Sequence, residues 1–299
     1  MNQDLYAETT ARIVTALERG APPWVRPWSC VVDAMPVNAD TRRPYRGINF
    51  TILSLEAQAH GYGVNRWLTY RHAQELGGNV RKGAAGTPVV YWQLRKIGVV
   101  ADAFPERDDP PALPSKVYPL LRAYTVFNVA QIDGLPPAYS ESQTPTWEPE
   151  ARGEELLLMS GARFRQGGAR AYYQPGADEI HLPPRAAFVT GAGYYNVALH
   201  ELTHWSGHPS RCHRDLTGRF GDASYAMEEL IAEMGAAYLC AHCRLDGELR
   251  HASYLESWIK VLRSDKRAIF TAAAHAQRTA DYILKLAQPP DPVVAERAA

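Results

Sequence analysis

The chain carries no surplus of either charge. Its 299 residues hold 32 Lys+Arg against 32 Asp+Glu, which excludes an acidic mimic of a nucleic-acid backbone, since that needs a large negative excess. Long hydrophobic runs are missing as well. With no stretch of roughly 18 apolar residues, a membrane-spanning helix is excluded and no membrane partner is expected. The opening residues MNQDLYAETT lack both a basic and an apolar region, so no secretory leader is expected. Cysteine is scarce, at four in the whole chain, which argues against a disulfide-stapled fold and for reduced thiols in a cytoplasm. Internal repeats are absent. What remains is 46% apolar and 21% charged, an ordinary globular composition long enough for two domains, each with its own core.

Against this plain background, HELTHWSGH at 200–208 stands out. On an α-helix, His200 and His204 lie one turn apart and project from the same face. Two imidazoles so placed bind one metal ion, and Glu201 beside them is placed to take a proton from a water the ion activates. Upstream, Tyr194, Val197, Ala198, Leu202 and Trp205 recur at roughly the 3.6-residue helical spacing. Gly207 and Pro209 then stop the helix.

A catalytic metal of this kind needs a third protein ligand and an open position. The longer pattern ending in a third histidine fails here, because its last position is Ser210. His208 comes two residues early and reads as a rim residue. The stretch SYAMEELIAEMGAAYLC offers carboxylates instead. Glu229 and Glu233 share a face, so Glu229 is the favoured ligand and Glu233 the group that holds a ligand imidazole by its other nitrogen. Glu228, turned about 100° around the helix, is the weaker ligand candidate. Tyr225, one turn before Glu229, is a candidate to steady a developing oxyanion. CAHC at 240–243 has metal-ligand spacing, but no second such pair exists and it continues a helix, so buried free thiols are expected there. Zinc suits the main site's ligand types best, with manganese or another divalent ion as the alternative.

The clearest seam is DGLPPAYSESQTPTWEPE, 133–150, rich in Pro, Ser and Thr and poor in aliphatics. It divides the chain into 1–132, a linker at 133–150, and 151–299, with each part expected to fold by itself. Before the seam, helices are expected over 5–20, 49–60 and 69–76, and strands in TPVVYWQLRKIGVV and YPLLRAYTVFNVA around a proline-rich tip. After it, AYYQPGADEIHLPP reads as a hairpin. The motif helix follows, then a helix near 224–244 and one or two across 251–287. The second half is mostly helical with a small β element, and the whole is α+β.

Between Arg42 and Lys96 the neutral chain becomes locally basic, with nine Lys and Arg against two Glu. Aromatic residues are interleaved with them. Cations along a groove neutralise phosphates and exposed rings stack on unpaired bases, which suits single-stranded nucleic acid better than duplex. Arg42, Arg43, Tyr45, Arg46, Arg66, Trp67, Arg81, Lys82, Tyr91 and Trp92 form the candidate set. A solvated basic face over core aromatics accounts for the pattern equally well on these residues alone.

RRPYRGIN, YRHAQELGGNVRKGAAGTPVVYW and YTVFNVAQIDGL resemble the N-terminal single-stranded-DNA-binding domain of ArdC-type antirestriction proteins of conjugative plasmids. DEIHLPPRAAF, LHELTHWSGHPSR, EELIAEMGAAYLC and SWIKVLRSDKRAIF resemble the metallopeptidase-like domain that accompanies it. The resemblance spans nearly the whole chain in the family's domain order. It implies an α/β DNA-binding domain joined to a zincin-like domain of the gluzincin type, and protection of incoming plasmid DNA from host restriction. The family's metal motif falls on His200, Glu201 and His204, with Glu229 as the carboxylate. Two rival readings stay open. One is an active regulatory protease acting on host restriction components or other DNA-associated targets; the other is a binding protein whose metal only braces the fold.

Overall fold

The computed structural model describes residues 4–20, 35–96, 117–140, 149–219, 222–245 and 254–288. The proline-rich tip at 104–116, the proline-broken segment 21–30 and the tail expected after 288 lie outside these residues. The architecture is mixed α+β. Helix α1 (Leu5–Glu18) is started by Asp4, whose side chain accepts from the Ala7 amide at 3.2 Å, and it buries Ile13, Val14 and Leu17. Strand β1 (Val37–Asn38), helix α2 (Ile48–His60), strand β2 (Arg66–Thr69) and helix α3 (Tyr70–Glu75) follow. Next come β3 (Asn79–Val80), the long pair β4 (Thr87–Lys96) and β5 (Val117–Asn128), and β6 (Ile132–Asp133).

The main sheet runs β1-β2-β5-β4, with β4 and β5 antiparallel. Period-two alternation along β4 puts Val89 and Tyr91 on one face and Val90 and Trp92 on the other. On the first face Leu53, Ala57, Trp67, Val89 and Val126 close a small core. Leu68, Ala73, Val129 and Ile132 close another, joined by Leu135 and Tyr139.

Helix α4 (Pro137–Ser140) closes the first half, and the second comprises α5 (Pro149–Met159) and a three-stranded sheet in the order β7-β9-β8. Strands β8 (Tyr172–Gln174) and β9 (Glu179–Leu182) form the expected hairpin, and β7 (Arg163–Gln166) adds a parallel strand that has no alternating pattern to announce it. Helices α6 (Gly191–Ser206), α7 (Ala223–Cys243), α8 (Leu255–Ser264) and α9 (Ala268–Leu286) complete it.

The expectation of two self-sufficient cores is corrected. Ile13, Val14 and Leu17 of α1, Phe50 of α2 and Val90 of β4 belong to the same buried cluster as Leu202, Leu230 and Trp258. The seam between the halves is also bonded. The Tyr238 hydroxyl donates to the Gly47 carbonyl at 2.9 Å, the Gly47 amide donates to Gln277 at 2.8 Å, and the Thr10 hydroxyl donates to the Lys266 carbonyl at 2.8 Å. Nor is the 133–150 stretch wholly a spacer. Leu135 and Tyr139 pack on the N-terminal sheet, and its last two residues open α5. An amphipathic helix such as α1 declares an apolar face but not which half of the chain will cover it.

A shared core predicts one unfolding transition. Leu17→Ala, at a position 1% exposed, is expected to cost about 2–5 kcal/mol. It should lower the midpoint followed by either half's fluorescence and by far-UV dichroism together. Two separated transitions, with only the first moved, would restore the picture of independent domains.

Candidate metal centre

Thr190 caps α6 by accepting from the Gly193 amide at 3.0 Å, and the helix runs to Ser206 before turning at Gly207. His200, Glu201 and His204 therefore sit in its last two turns. Helix α7 lies close against it because position 235 is glycine. A Cβ there would come within 2.7 Å of Thr203 Cγ2. That close approach carries Glu228, Glu229 and Glu233 of α7 to the two imidazoles, and all three carboxylates are buried.

The ring nitrogens facing inward converge. His200 Nε2 and His204 Nε2 are 3.2 Å apart, and Glu229 reaches them with Oε2 at 3.6 Å and Oε1 at 3.5 Å. One ligand atom from each of the three lies within 4.8 Å of the others. The outward-facing nitrogens are held by carboxylates, His200 Nδ1 at 3.3 Å from Glu233 and His204 Nδ1 at 3.0 Å from Glu228. Hydrogens placed on Nδ1 towards those acceptors leave both Nε2 lone pairs aimed at the same point as Glu229. Three acceptors meeting with no donor between them suit a cation, so the residues present fit the divalent ion their types imply.

The electrostatics agree. Burial favours neutral imidazole at His204, but Glu228 and Glu229 outweigh it and raise its pKa from 6.5 to about 9. His200 is likewise pushed well up by Glu229 and Glu233 against the effect of burial. Glu229 is held well below the carboxylate range because the two histidines overcome its desolvation. Burial, Tyr254 and Glu229 raise the Tyr225 phenol, which keeps it a hydrogen-bond donor. Its hydroxyl lies 3.1 Å from that of Tyr254.

Glu201 faces a cleft of about 270 Å³ that also exposes His200, His204, Glu229, Tyr225 and Tyr172. A divalent ion bound there would polarise a carbonyl and acidify a water. With an ion in place, Glu201 would be the carboxylate positioned to accept a proton and Tyr225 the phenol positioned to hold a developing negative oxygen. His208 is elsewhere, bonded to the Ser210 hydroxyl at 2.8 Å. Cys240 and Cys243 are buried within α7, where burial raises both thiols, Cys243 to about 12. Both are free thiols packed in the core.

Comparison with known proteins covers both halves of the chain. The family model of zincin-like metallopeptidases covers residues 151–275, and that of the N-terminal domain of the anti-restriction factor ArdC covers 3–127. Crystal structures of the antirestriction protein ArdC from plasmid R388 superpose along the chain. The metal-free form is 42% identical with a TM-score of 0.77, covering 95% of this chain and 98% of that one. The Mn(II)-bound form is 41% identical with a TM-score of 0.77, covering 97% and 100%. The chain belongs to the ArdC family. An uncharacterised protein of Sinorhizobium fredii, y4eC, is 42% identical over 284 residues, 94% of this chain and 91% of its own length. The DNA primase TraC of Escherichia coli is 38% identical over 302 residues. That match takes in 96% of this chain but only 28% of the primase, so the ArdC-like unit is a minor part of a much longer protein there.

Within the ArdC-like N-terminal half, the candidate DNA residues do not form one groove. Arg66 and Trp67 are corrected outright, since β2 is an interior strand and they are 1% and 0% exposed. The Arg66 guanidinium donates to the Tyr139 carbonyl at 3.1 Å, and the Trp67 indole donates to Asn65 at 2.7 Å. Tyr45 is half-buried beside Tyr124, whose ring also meets that of Tyr91. Arg42 and Arg43 are exposed near β1, and Arg42 donates to the Ala138 carbonyl at 2.8 Å. Arg81 pairs with Asp133 at 2.8 Å, with Lys82 exposed beside it. Trp92 and Arg46 face α9 instead.

Sequence reasoning passed over Arg214, which is 8% exposed. It grips both oxygens of Glu228 at 2.9 and 2.8 Å, and Glu228 in turn holds His204. Only the buried position of Glu228, whose charge a neutral ligand histidine leaves unbalanced, hints at such a partner.

Metal analysis of His204→Ala is expected to lose one bound equivalent. Glu228→Gln, which keeps the ligands but weakens the hold on His204, should lower metal affinity by roughly 10- to 100-fold. Protons compete for the same nitrogens. The His204 contribution to stability of the metal-free protein is therefore full below 6.5 and lost as pH rises through about 9, while metal affinity climbs over that interval. Flat affinity across it, measured by calorimetric titration, would contradict the assignment.

Proposed function

We propose that the chain is an antirestriction protein that binds single-stranded DNA and protects incoming plasmid DNA from host restriction. In this reading 1–132 carries most of the DNA contacts, and 151–299 holds one divalent ion through His200, His204 and Glu229. The ligand types favour zinc, and the Mn(II) held by the R388 protein makes manganese the alternative. The observation that carries the reading is the pairing of both ArdC modules, in order, over nearly the full length of this chain and its structural relative. A related unit inside a DNA primase supports a DNA partner. So do Tyr91 and Trp92, 44% and 54% exposed. Such a protein works in the cytoplasm, where restriction acts.

Protection in this reading comes from covering the strand and does not require peptide cleavage. A second reading, an active metalloprotease directed at restriction components, is favoured by one feature. Glu201 opens into the same cleft as the three ligand residues and Tyr225, which is the placement a proton acceptor needs.

Glu201→Ala separates the two. With metal content and folding unchanged, it is expected to retain single-strand binding and full protection in a plasmid-transfer assay against a restricting host. Loss of protection with DNA binding intact would make the site catalytic. Single-strand affinity itself should fall steeply with salt, by about 0.7 in log affinity per log unit of salt for each phosphate contacted.

A further inference from the structure

A second cleft opens where the start of α2 and strand β4 meet α9. Its volume is about 640 Å³, inside the roughly 300–1,000 Å³ range of ligand sites. Three guanidinium groups line it, Arg46 from the N-terminal half, Arg267 immediately before α9 and Arg278 within it. Its one carboxylate, Asp281, is already paired with Arg46. Among the described residues neither Arg267 nor Arg278 makes an ion pair with a carboxylate, so the wall carries net positive charge. His275 lies beside Arg278 at 3.3 Å. Burial, Arg278 and Arg214 all lower its pKa, which favours the neutral ring and leaves the wall's charge to the guanidinium groups.

The same cleft is aromatic. Trp92 is 54% exposed, and its ring lies 6.3 Å from that of Tyr6, which in turn meets Phe270 edge-on at 4.7 Å. The Arg267 guanidinium stands 5.2 Å over the Tyr6 ring. A half-exposed indole backed by packed rings is a rigid platform with one face free, and a free face suits a base that has no stacking partner of its own. Arg267 and Arg278 are three helical turns apart, on one side of α9 and separated by roughly 16 Å. That separation is too long for one mononucleotide and fits phosphates two or three nucleotides apart on one strand.

Resting on the single-strand reading above, we propose that this cleft is the DNA path. Trp92 stacks an unpaired base, and Arg267 and Arg278 take phosphates on either side. The nominally metallopeptidase half therefore supplies part of the DNA site. Duplex is disfavoured, because its bases are already stacked and the indole lies within a concave wall.

The full-length protein titrated with a fluorescent oligothymidylate of about 16 nucleotides, over a salt series, tests this. Arg267→Glu with Arg278→Glu is expected to weaken binding at least tenfold and to reduce the salt slope by about 1.4, two contacts at about 0.7 each. Arg267→Lys with Arg278→Lys should keep the slope. Trp92→Ala should weaken binding roughly 5- to 100-fold, with Trp92→Phe close to the parent. The same reversal of charge at Arg163 and Arg165, on β7 outside the cleft, should change affinity little. Melting temperature and bound metal report folding for each variant. If the parent protein binds no single strand, the underlying reading fails. If it binds, and the α9 reversal leaves affinity and slope unchanged or the β7 reversal costs as much, the cleft proposal is overturned and the reading stands. An acidic peptide displacing the oligonucleotide from the parent with no effect of Trp92→Ala would also overturn it.

Discussion

Arg214 is buried with its charge, and the site around it depends on how that charge is balanced. Five hydrogen bonds leave its guanidinium, two to Glu228, one each to the hydroxyls of Ser206 and Thr279, and one to the Thr203 carbonyl. These acceptors belong to α6, α7 and α9, so one side chain ties three helices at the point where the metal ligands converge. A buried cation is tolerable only when paired and fully bonded, and the bidentate grip on Glu228 meets both conditions. Glu228 Oε1 also accepts His204 Nδ1, so the same ion pair fixes the ring that faces the metal position.

The histidines and carboxylates of α6 and α7 form a polar island inside an apolar cluster. Such an island must be nearly neutral. Glu228 is balanced by Arg214, which leaves Glu201, Glu229 and Glu233 around two imidazoles. Protons on the rings supply the counter-charge in the absence of an ion, and this is why both histidines hold protons beyond their ordinary range. A divalent cation at the same point would supply it and make those protons redundant. Proton and metal are thus alternative counter-charges for one cluster, and the cluster's pH behaviour follows from the exchange.

How much of this was readable depends on whether the relevant spacing was local. His200, Glu201 and His204 are legible because a one-turn separation on a helix fixes their geometry whatever surrounds it. Glu229 and Glu233 are legible for the same reason, as a second one-turn pair. Glu228 was undervalued because its rotation of about 100° turns it from the metal position, yet the same rotation carries it to the far side of His204. Arg214 belongs to an irregular stretch after α6, where no periodicity says which way a side chain points. Arg66 and Trp67 read as DNA contacts because composition counts cations and rings without knowing that β2 is interior. The α9 cations were missed for the opposite reason, lying nearly two hundred residues away from the basic window that they face.

The shared core changes how the two halves relate. Helix α9 forms one wall of the interdomain cleft through Arg267 and Arg278. At the very next residue, Thr279, it accepts a hydrogen bond from Arg214 of the metal cluster. Gln277 and Asp281 of the same helix hold Gly47 and Arg46 at the start of α2. A 19-residue helix bonded on both sides cannot belong to one half alone. Parting the halves at 133–150 would expose Ile13, Leu17 and Phe50 on one piece and the surfaces they cover on the other. Each fully buried side chain of that size contributes about 1.5–3 kcal/mol. A few of them equal the net stability of an ordinary domain, about 5–15 kcal/mol. The cleft between the halves is therefore a fixed feature of the fold, and a strand entering it meets residues already held in place from both sides.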